Sequence, residues 1–169
     1  MIVRVADIPP EGLRVEGPEA FTRPFQDPSW SLVGVDLCLE REGEAVLVTG
    51  RLEARVPQHC SRCLDAYVTP VEAAVRARYV PGDGRGAEHE LGADDLETDV
   101  YLHGEVDLAT VLETETTLAL PMKPLCRAEC RGLCPTCGGN RNQTACSCEE
   151  PSPDPRWAAL KAWAARQSR

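Results

Sequence analysis

The stretch from Cys126 to Cys148 holds six of the nine cysteines of the chain in 23 residues. At its centre, Cys134 and Cys137 are separated by Pro-Thr and followed by two glycines. This spacing lets a tight turn present two thiolates to one metal ion. Cys146 and Cys148 follow closely and can supply a second pair of thiolates. The stretch therefore predicts a zinc site.

Eight cysteines remain when the isolated Cys38 is set aside, and they fit two closed sites of four thiolates each. The local site would use Cys134, Cys137, Cys146 and Cys148. The second would join a distant C-x-x-C pair to the start of the stretch, using Cys60, Cys63, Cys126 and Cys130. An alternative binds a single ion through Cys126, Cys130, Cys134 and Cys137. We favour two zinc ions over one, because the number of thiolates and the closed coordination then match.

The hydropathy and the net charge of the chain indicate where the protein is located and which partners it can bind. No apolar run approaches the roughly 20 residues that span a bilayer, and the first residues lack the apolar core of a signal peptide. We therefore expect a cytoplasmic protein, in which reducing conditions favour metal–thiolate bonds over disulfides. The net charge of −9 argues against a protein that wraps nucleic acid with its whole surface.

The charge is unevenly distributed along the chain. Residues 1–120 carry 10 Lys/Arg and 23 Asp/Glu, a net −13, whereas residues 121–169 carry 8 and 4, a net +4. The basic end could contact RNA phosphates, and the candidates are Arg127, Arg131 and Arg141 within the cysteine-rich stretch. Aromatic platforms for stacking bases are missing nearby. The alternative interpretation is that both ends are simply solvated.

Alternating apolar residues predict three long strands, over Val33–Leu39, Val46–Val56 and Val71–Tyr79. Val100–Leu102 predicts a short strand within an acidic segment that extends from Glu88 to Glu115. A helix from the N-cap Asp107 to about Leu118 would present Leu108, Val111, Leu112, Glu115, Leu118 and Ala119 on one face.

These elements predict an α+β fold: an antiparallel sheet curling toward a barrel, one packed helix, a cysteine-rich zinc-binding extension and a C-terminal helix from Arg156 to about Gln167. The expected domains are a β-rich domain at 1–120, a zinc module at 121–150 and a helical tail at 151–169.

Cys60 and Cys63 also allow a redox interpretation, as a dithiol of an oxidoreductase. Such a dithiol belongs at the start of a helix after a strand, whereas antiparallel strands flank this pair. The context favours a metal clamp. His59 beside the pair, and the isolated His89 and His103, are not predicted to be ligands. No catalytic constellation of Ser, His and Asp is evident in the sequence.

Residues spread over most of the chain after about residue 33 resemble the YceD-type family, the large ribosomal RNA subunit accumulation proteins. The similar residues include the motif from His59 to Leu64, Glu105 to Leu108 with Glu115, and Leu118 to Met122. They continue from Cys130 to Gly138 and through Asn140, Asn142 and the closing Cys146-x-Cys148. Asp154 to Trp157, before an Ala/Leu-rich helix, is similar to the family's tail.

The resemblance implies a non-enzymatic protein needed for accumulation of large-subunit ribosomal RNA and hence for ribosome assembly. The expected partners are a ribosomal RNA precursor or an assembly intermediate of the large subunit. An alternative is a protein–protein adaptor that binds a basic ribosomal protein or a processing nuclease through its acidic face, without touching RNA. No membrane partner is expected.

Overall fold

The computed structural model describes residues 1–82, 98–148 and 154–157, together with positions 160, 163, 164 and 166. Two compact units divide the chain. The first comprises Met1–Gln58 and Ala66–Pro124, and the second comprises His59–Asp65 and Leu125–Arg169. The sheets and the helix belong to the first unit, apart from the last residue of one strand, and eight of the nine cysteines belong to the second.

Seven strands and one α-helix follow each other along the described chain. Their bounds are β1 (Ile2–Arg4), β2 (Leu13–Glu16), β3 (Ser31–Glu42), β4 (Ala45–His59), β5 (Ala66–Pro81), β6 (Thr98–Tyr101), β7 (Glu105–Asp107) and α1 (Leu108–Ala119). Short 3-10 helices occur at Val5–Asp7, Pro18–Ala20 and Pro155–Trp157. This mixture confirms the predicted α+β class.

The strands form a five-stranded sheet in the order β2-β3-β4-β5-β6 and a two-stranded sheet of β1 and β7. Strands β2, β3 and β4 pair antiparallel, but β5 and β6 pair parallel. A parallel pair needs a long connection, which residues 82–97 provide. Within the described residues the strands do not close into a barrel, so the predicted curling toward a barrel stays a prediction.

Strands β3 and β4 form the predicted hairpin and supply much of the core. Leu37, Leu39, Val46 and Val48 are fully buried, because period-two apolar residues of paired strands share one face of the sheet. Val33 was predicted on this face but is 44% exposed. The pairing register shifts between Leu32 and Gly34, so a bulge turns Val33 outward.

Helix α1 begins as predicted, since Asp107 Oδ1 accepts a hydrogen bond from the Ala109 N–H at 3.0 Å. Leu108, Val111, Leu112 and Thr116 are its buried residues. Leu118 and Ala119 are exposed, which corrects their predicted place on the apolar face. The burial ends with Thr116 because the helix itself ends one turn later, at Ala119.

The C-terminal tail is described only in part. Asp154 Oδ1 accepts a hydrogen bond from the Arg156 N–H, and Pro155–Trp157 forms a 3-10 turn. Leu160, Trp163, Ala164 and Arg166 have helical backbone, and the remaining positions of the predicted terminal helix lie outside the described residues. His89 and the acidic positions from Glu88 to Glu97 also lie outside them. No helix of the described residues is long and apolar enough to cross a membrane.

Candidate metal centres

The first tetracysteine group begins in the connection between β4 and β5. The Cys60 N–H donates to the Asp65 carbonyl and the Leu64 N–H donates to the Cys60 carbonyl, each at 2.9 Å. These two bonds close a tight turn that points both sulfurs of the C-x-x-C pair to the same side. Leu64 adopts a left-handed conformation with φ 63°, which is costly for a branched side chain. The two backbone hydrogen bonds therefore hold Leu64 in a conformation that it would not favour on its own.

Cys126 and Cys130 complete this group. Their sulfurs lie 3.7 Å from those of Cys63 and Cys60 respectively, and all four sulfurs lie within 4.8 Å of one another. A tetrahedron with metal–sulfur bonds of about 2.3 Å has sulfur–sulfur edges of about 3.8 Å. A disulfide would instead need about 2 Å between sulfurs. The group, which we call site 1, has the dimensions of a closed four-thiolate metal site.

Site 1 is braced by Arg62, which lies between the two cysteines of the C-x-x-C pair. Its guanidinium donates to the carbonyl oxygens of Cys130 at 2.9 Å and Ala128 at 3.3 Å. Its own carbonyl accepts the Leu133 N–H at 3.0 Å. Gly132 has φ 70°, and a Cβ at this position would lie 3.0 Å from the Arg62 carbonyl oxygen. A glycine is thus required where the two segments meet.

The second group, site 2, lies within a single loop and consists of Cys134, Cys137, Cys146 and Cys148, whose sulfurs are also within 4.8 Å of one another. The Gly138 N–H donates to the Cys134 carbonyl at 2.9 Å, and the Cys134 N–H donates to the Gly139 carbonyl at 2.8 Å. This pattern repeats the turn of site 1. Only Cys134 is buried, and the other three cysteines are exposed.

The structure thus brings together the same two sets of four cysteines that the two-site partition predicts. Cys126 and Cys130 lie with Cys60 and Cys63 rather than with Cys134 and Cys137, which contradicts the one-ion alternative. Each group could hold a metal ion. In the described residues no histidine or carboxylate belongs to either group, so His59 and His103 are not ligand candidates there. Cys38 is half-buried on β3 and belongs to neither group.

Backbone N–H groups favour the thiolate form of Cys60 in site 1 and of Cys134 in site 2. Burial opposes ionisation of Cys60, but the backbone N–H groups of Cys126, Cys63 and Arg62 together outweigh it and lower the Cys60 pKa to about 6. In site 2, the N–H groups of Cys137 and Thr136 lower the pKa of Cys134 to about 6. Hydrogen bonds to a negative sulfur stabilise its charge.

Other thiols of the groups resist ionisation. Hydrogen bonding to Cys137, together with burial, raises the pKa of Cys148 to about 12. The pKa of Cys126 is also raised, first by burial. Neighbouring sulfurs cannot all become negative at such short distances without a balancing cation. A divalent ion held by the four sulfurs of each group would supply that balance.

Two asparagines connect the site 2 loop to site 1. The side-chain amide of Asn142 donates to Cys130 Sγ at 3.3 Å, and its oxygen accepts the Arg131 N–H at 2.8 Å. Asn140 donates to Asp65 Oδ2 at 2.8 Å. From the sequence, both asparagines were noted only as residues similar to the YceD-type family. Their position between the C-x-x-C and C-x-C motifs was the available sign that these two amides hydrogen-bond to residues of site 1 and its turn.

Two of the three predicted RNA-binding residues share a cavity. Arg131 and Arg141 line a space of about 360 Å³ beside site 2, with Thr144, Ala145 and Cys146. Neither arginine forms a salt bridge with any other residue that the structure describes. Arg127 does not line this cavity. The geometry therefore presents two cationic side chains together and places the third elsewhere.

The sequence of the chain matches the model of one protein family. Residues 48–163 match the model of the family described as "Large ribosomal RNA subunit accumulation protein YceD". This segment contains both tetracysteine groups and α1. No solved structure matches the chain.

The chain is also similar to curated mycobacterial proteins. Uncharacterized proteins of Mycobacterium tuberculosis and Mycobacterium bovis are each 33% identical to it over 137 residues, which cover 77% of this chain and 61% of the relative. An uncharacterized protein of Mycobacterium leprae is 31% identical over 133 residues, covering 76% of this chain and 57% of the relative. The matched region thus spans about three fifths of the length of these relatives.

Proposed function

Because the chain belongs to the YceD family of large ribosomal RNA subunit accumulation proteins, we propose that it supports accumulation of large-subunit ribosomal RNA and ribosome assembly. In this proposal it acts as a cytoplasmic binding protein and not as an enzyme. Its partner is a ribosomal RNA precursor or an assembling large subunit, and its contact surface is organised by two zinc ions.

The two tetracysteine groups support the zinc part of the proposal. Four cysteine thiolates in a closed tetrahedral arrangement are typical of structural zinc, whereas catalytic zinc keeps one position open for water or substrate. Each group offers four sulfurs within 4.8 Å of one another and no carboxylate or histidine. Zinc held in this way stabilises a fold and leaves no coordination position for catalysis. This chemistry favours a binding role.

The cavity lined by Arg131 and Arg141 is the observation that supports the proposed contact with RNA. Guanidinium groups bind phosphate through paired hydrogen bonds, and these two have no carboxylate partner among the described residues. The backbone holds both positions, since the Arg141 N–H donates to the Gly132 carbonyl at 2.9 Å and the Arg131 N–H donates to Asn142. We infer that the cavity receives a phosphate of the RNA backbone.

A salt titration of precursor RNA binding tests this proposal. Each phosphate contact contributes about 0.7 to 0.9 to the slope of log affinity against log salt. Replacing Arg131 and Arg141 together by alanine removes one phosphate contact, so it should lower that slope by about 0.8 and weaken binding at low salt. Arg55→Ala is the matched control, because Arg55 is exposed on β4 and does not line the cavity. An unchanged slope in the double variant would remove these arginines from the RNA contact.

The protein–protein adaptor is the second candidate, and the charge distribution favours it. Residues 1–120 carry a net −13, which repels RNA and attracts basic proteins such as ribosomal proteins. Crosslinking in cells, followed by identification of the attached RNA and protein, separates the candidates. Precursor RNA attached to residues 125–148 supports direct contact, whereas only a ribosomal protein or nuclease attached to residues 1–120 supports the adaptor.

The dithiol oxidoreductase has less physical support. Cys60 is 0% and Cys63 is 3% exposed, and each lies against a further cysteine sulfur at 3.7 Å. Reactive cysteines need access to their substrate as well as a low pKa. Slow alkylation of these thiols in the metal-loaded protein, compared with the metal-free protein, is the result expected for ligands.

A further inference from the structure

Asn142 belongs to the loop of one metal site but contacts a sulfur of the other. It lies between Cys137 and Cys146, two residues of site 2. Its side-chain nitrogen nevertheless donates to the sulfur of Cys130, a residue of site 1, at 3.3 Å. This hydrogen bond links the loop of site 2 directly to a ligand candidate of site 1.

The orientation of this amide is determined by its other bonds. The Asn142 side-chain oxygen accepts the Arg131 N–H at 2.8 Å, and its nitrogen donates to Asn140 Oδ1 at 2.9 Å. Reversing the amide would place oxygen against oxygen at Asn140 and would leave the Arg131 N–H facing a second donor. The nitrogen must therefore face Cys130.

Closure of site 2 would add a further restraint on Asn142, beside the hydrogen bonds that its loop makes to Gly132 and Asp65. The loop from Gly138 to Ala145 begins and ends beside site 2 cysteines, and three of those four cysteines are exposed. Burial therefore contributes little to holding the loop ends together, and a bound metal would do so. Inside the loop, the N–H groups of Gln143 and Thr144 donate to the Asn140 carbonyl, each at 3.0 Å. These bonds brace the part of the loop that carries Asn142.

We propose that Asn142 is a positioning residue that couples the two metal sites. With site 2 loaded, the loop holds the amide N–H against Cys130 and slows the loss of metal from site 1. With site 2 empty, the donor leaves Cys130 and site 1 releases its metal faster. This inference rests on the proposed occupancy of both sites by zinc, and it makes retention of the site 1 ion depend on the site 2 ion.

The chemistry of the N–H···S bond supports such coupling. Four thiolates around one divalent cation leave an excess of two negative charges, and a donor to sulfur reduces the repulsion among them. Groups that hydrogen-bond to metal ligands typically change metal affinity 10- to 100-fold when they are removed. Asn142 touches site 1 but supplies no atom to either metal, so its effect must be exerted through Cys130.

Release of zinc to a coloured chelator, followed over time, tests the coupling. Asn142→Asp retains an oxygen to accept the Arg131 N–H and replaces the donor to Cys130 and Asn140 by a second oxygen, while the backbone hydrogen bonds of the loop are kept. The Cys146→Ser/Cys148→Ser variant empties site 2 directly. Gln143→Ala is the control, because Gln143 is an exposed neighbour in the same loop.

We expect release from site 1 to be about 10-fold faster in Asn142→Asp and in the double serine variant, and unchanged in Gln143→Ala. Combining all three substitutions should give no further acceleration, since the same contact is lost in each case. Asn142→Ala should reproduce Asn142→Asp if the donor, and not the added charge, is responsible.

Two results would overturn the coupling and are distinguishable. Site 1 release at the wild-type rate after loss of site 2 or of the Asn142 donor would show that the sites are independent, while leaving the proposed zinc occupancy intact. Wild-type protein that binds no zinc would overturn the occupancy itself and the coupling with it.

Discussion

The sulfur atoms of Cys60 and Cys130 lie 3.7 Å apart although 70 residues separate them in the chain. The intervening chain includes β5, β6, β7 and α1 of the first unit. A metal ion bound here would close a long loop, which reduces the entropy of the unfolded chain. Site 1 should therefore stabilise more than the few residues that form it.

Replacing Cys60 by serine tests the contribution of site 1. We expect the loss of about one bound metal ion per chain and a lower unfolding temperature, because a hard hydroxyl is a poor substitute for thiolate. Metal content and thermal unfolding are the measurements. Cys38→Ser is the control, since Cys38 belongs to neither group and should keep the full metal content. Unchanged metal content in Cys60→Ser would remove site 1 from the account.

Gly132→Ala tests the meeting of the two cysteine segments. Gly132 and Gly138 have nearly the same φ, 70° and 71°, but only at Gly132 would a Cβ meet a backbone atom, the Arg62 carbonyl oxygen at 3.0 Å. Each alanine should cost about 1 to 2 kcal/mol for the left-handed backbone. Gly132→Ala should cost more than Gly138→Ala in chemical denaturation followed by a probe in residues 125–148. Equal losses would show that the close approach is unimportant.

Thr116→Val should stabilise the first unit. The Thr116 hydroxyl is fully buried in α1 and has no hydrogen-bond partner among the described residues. Replacing it by a methyl group of similar shape removes a desolvation penalty of about 1 to 2 kcal/mol. Thr114→Val, at an exposed position of the same helix, controls for helix propensity. The free energy of unfolding should rise only in Thr116→Val, and a decrease there would indicate a bound water that satisfies the hydroxyl.

The pH dependence of stability should change in Glu115→Gln. Burial raises the pKa of Glu115, so the folded state binds its proton more tightly than the unfolded state does. The resulting stability is present below the unfolded pKa of about 4.3 and is lost as pH rises through the folded pKa.

Neutral glutamine does not titrate, so the stability of Glu115→Gln relative to wild type should increase from about pH 4 to pH 7. Unfolding by urea at several pH values measures this difference. Glu44→Gln, on the exposed turn between β3 and β4, is the control. A difference that stays constant with pH would contradict the assigned environment of Glu115.

Local patterns in the sequence predicted much of the fold. Period-two alternation located the β3–β4 hairpin, and Asp107 located the start of α1. The same reasoning placed Val33 and Leu118 wrongly, because burial also depends on a bulge in the pairing and on where a helix leaves the core. The parallel pairing of β5 with β6 was not predicted, since alternation within a strand carries no information about the direction of its neighbour.

The cysteine groups were predictable because ligand number restricts the possible partitions. Four thiolates per ion and two C-x-x-C spacings leave few ways to distribute eight cysteines, and the structure forms one of them. The roles of Arg62 and Asn142 were not predictable in this way. Each depends on contacts over 10 to 70 residues that no local spacing encodes. Their assignment as ligand-holding residues required the three-dimensional arrangement.

The metal content of the purified protein, measured together with its mass under native conditions, tests the central claim most directly. Two closed four-thiolate sites predict two zinc ions per chain, released with the corresponding uptake of protons when the protein is acidified. One ion per chain would contradict the two-site arrangement, and protein that is folded and free of metal would contradict the proposal that zinc organises the cysteine-rich unit.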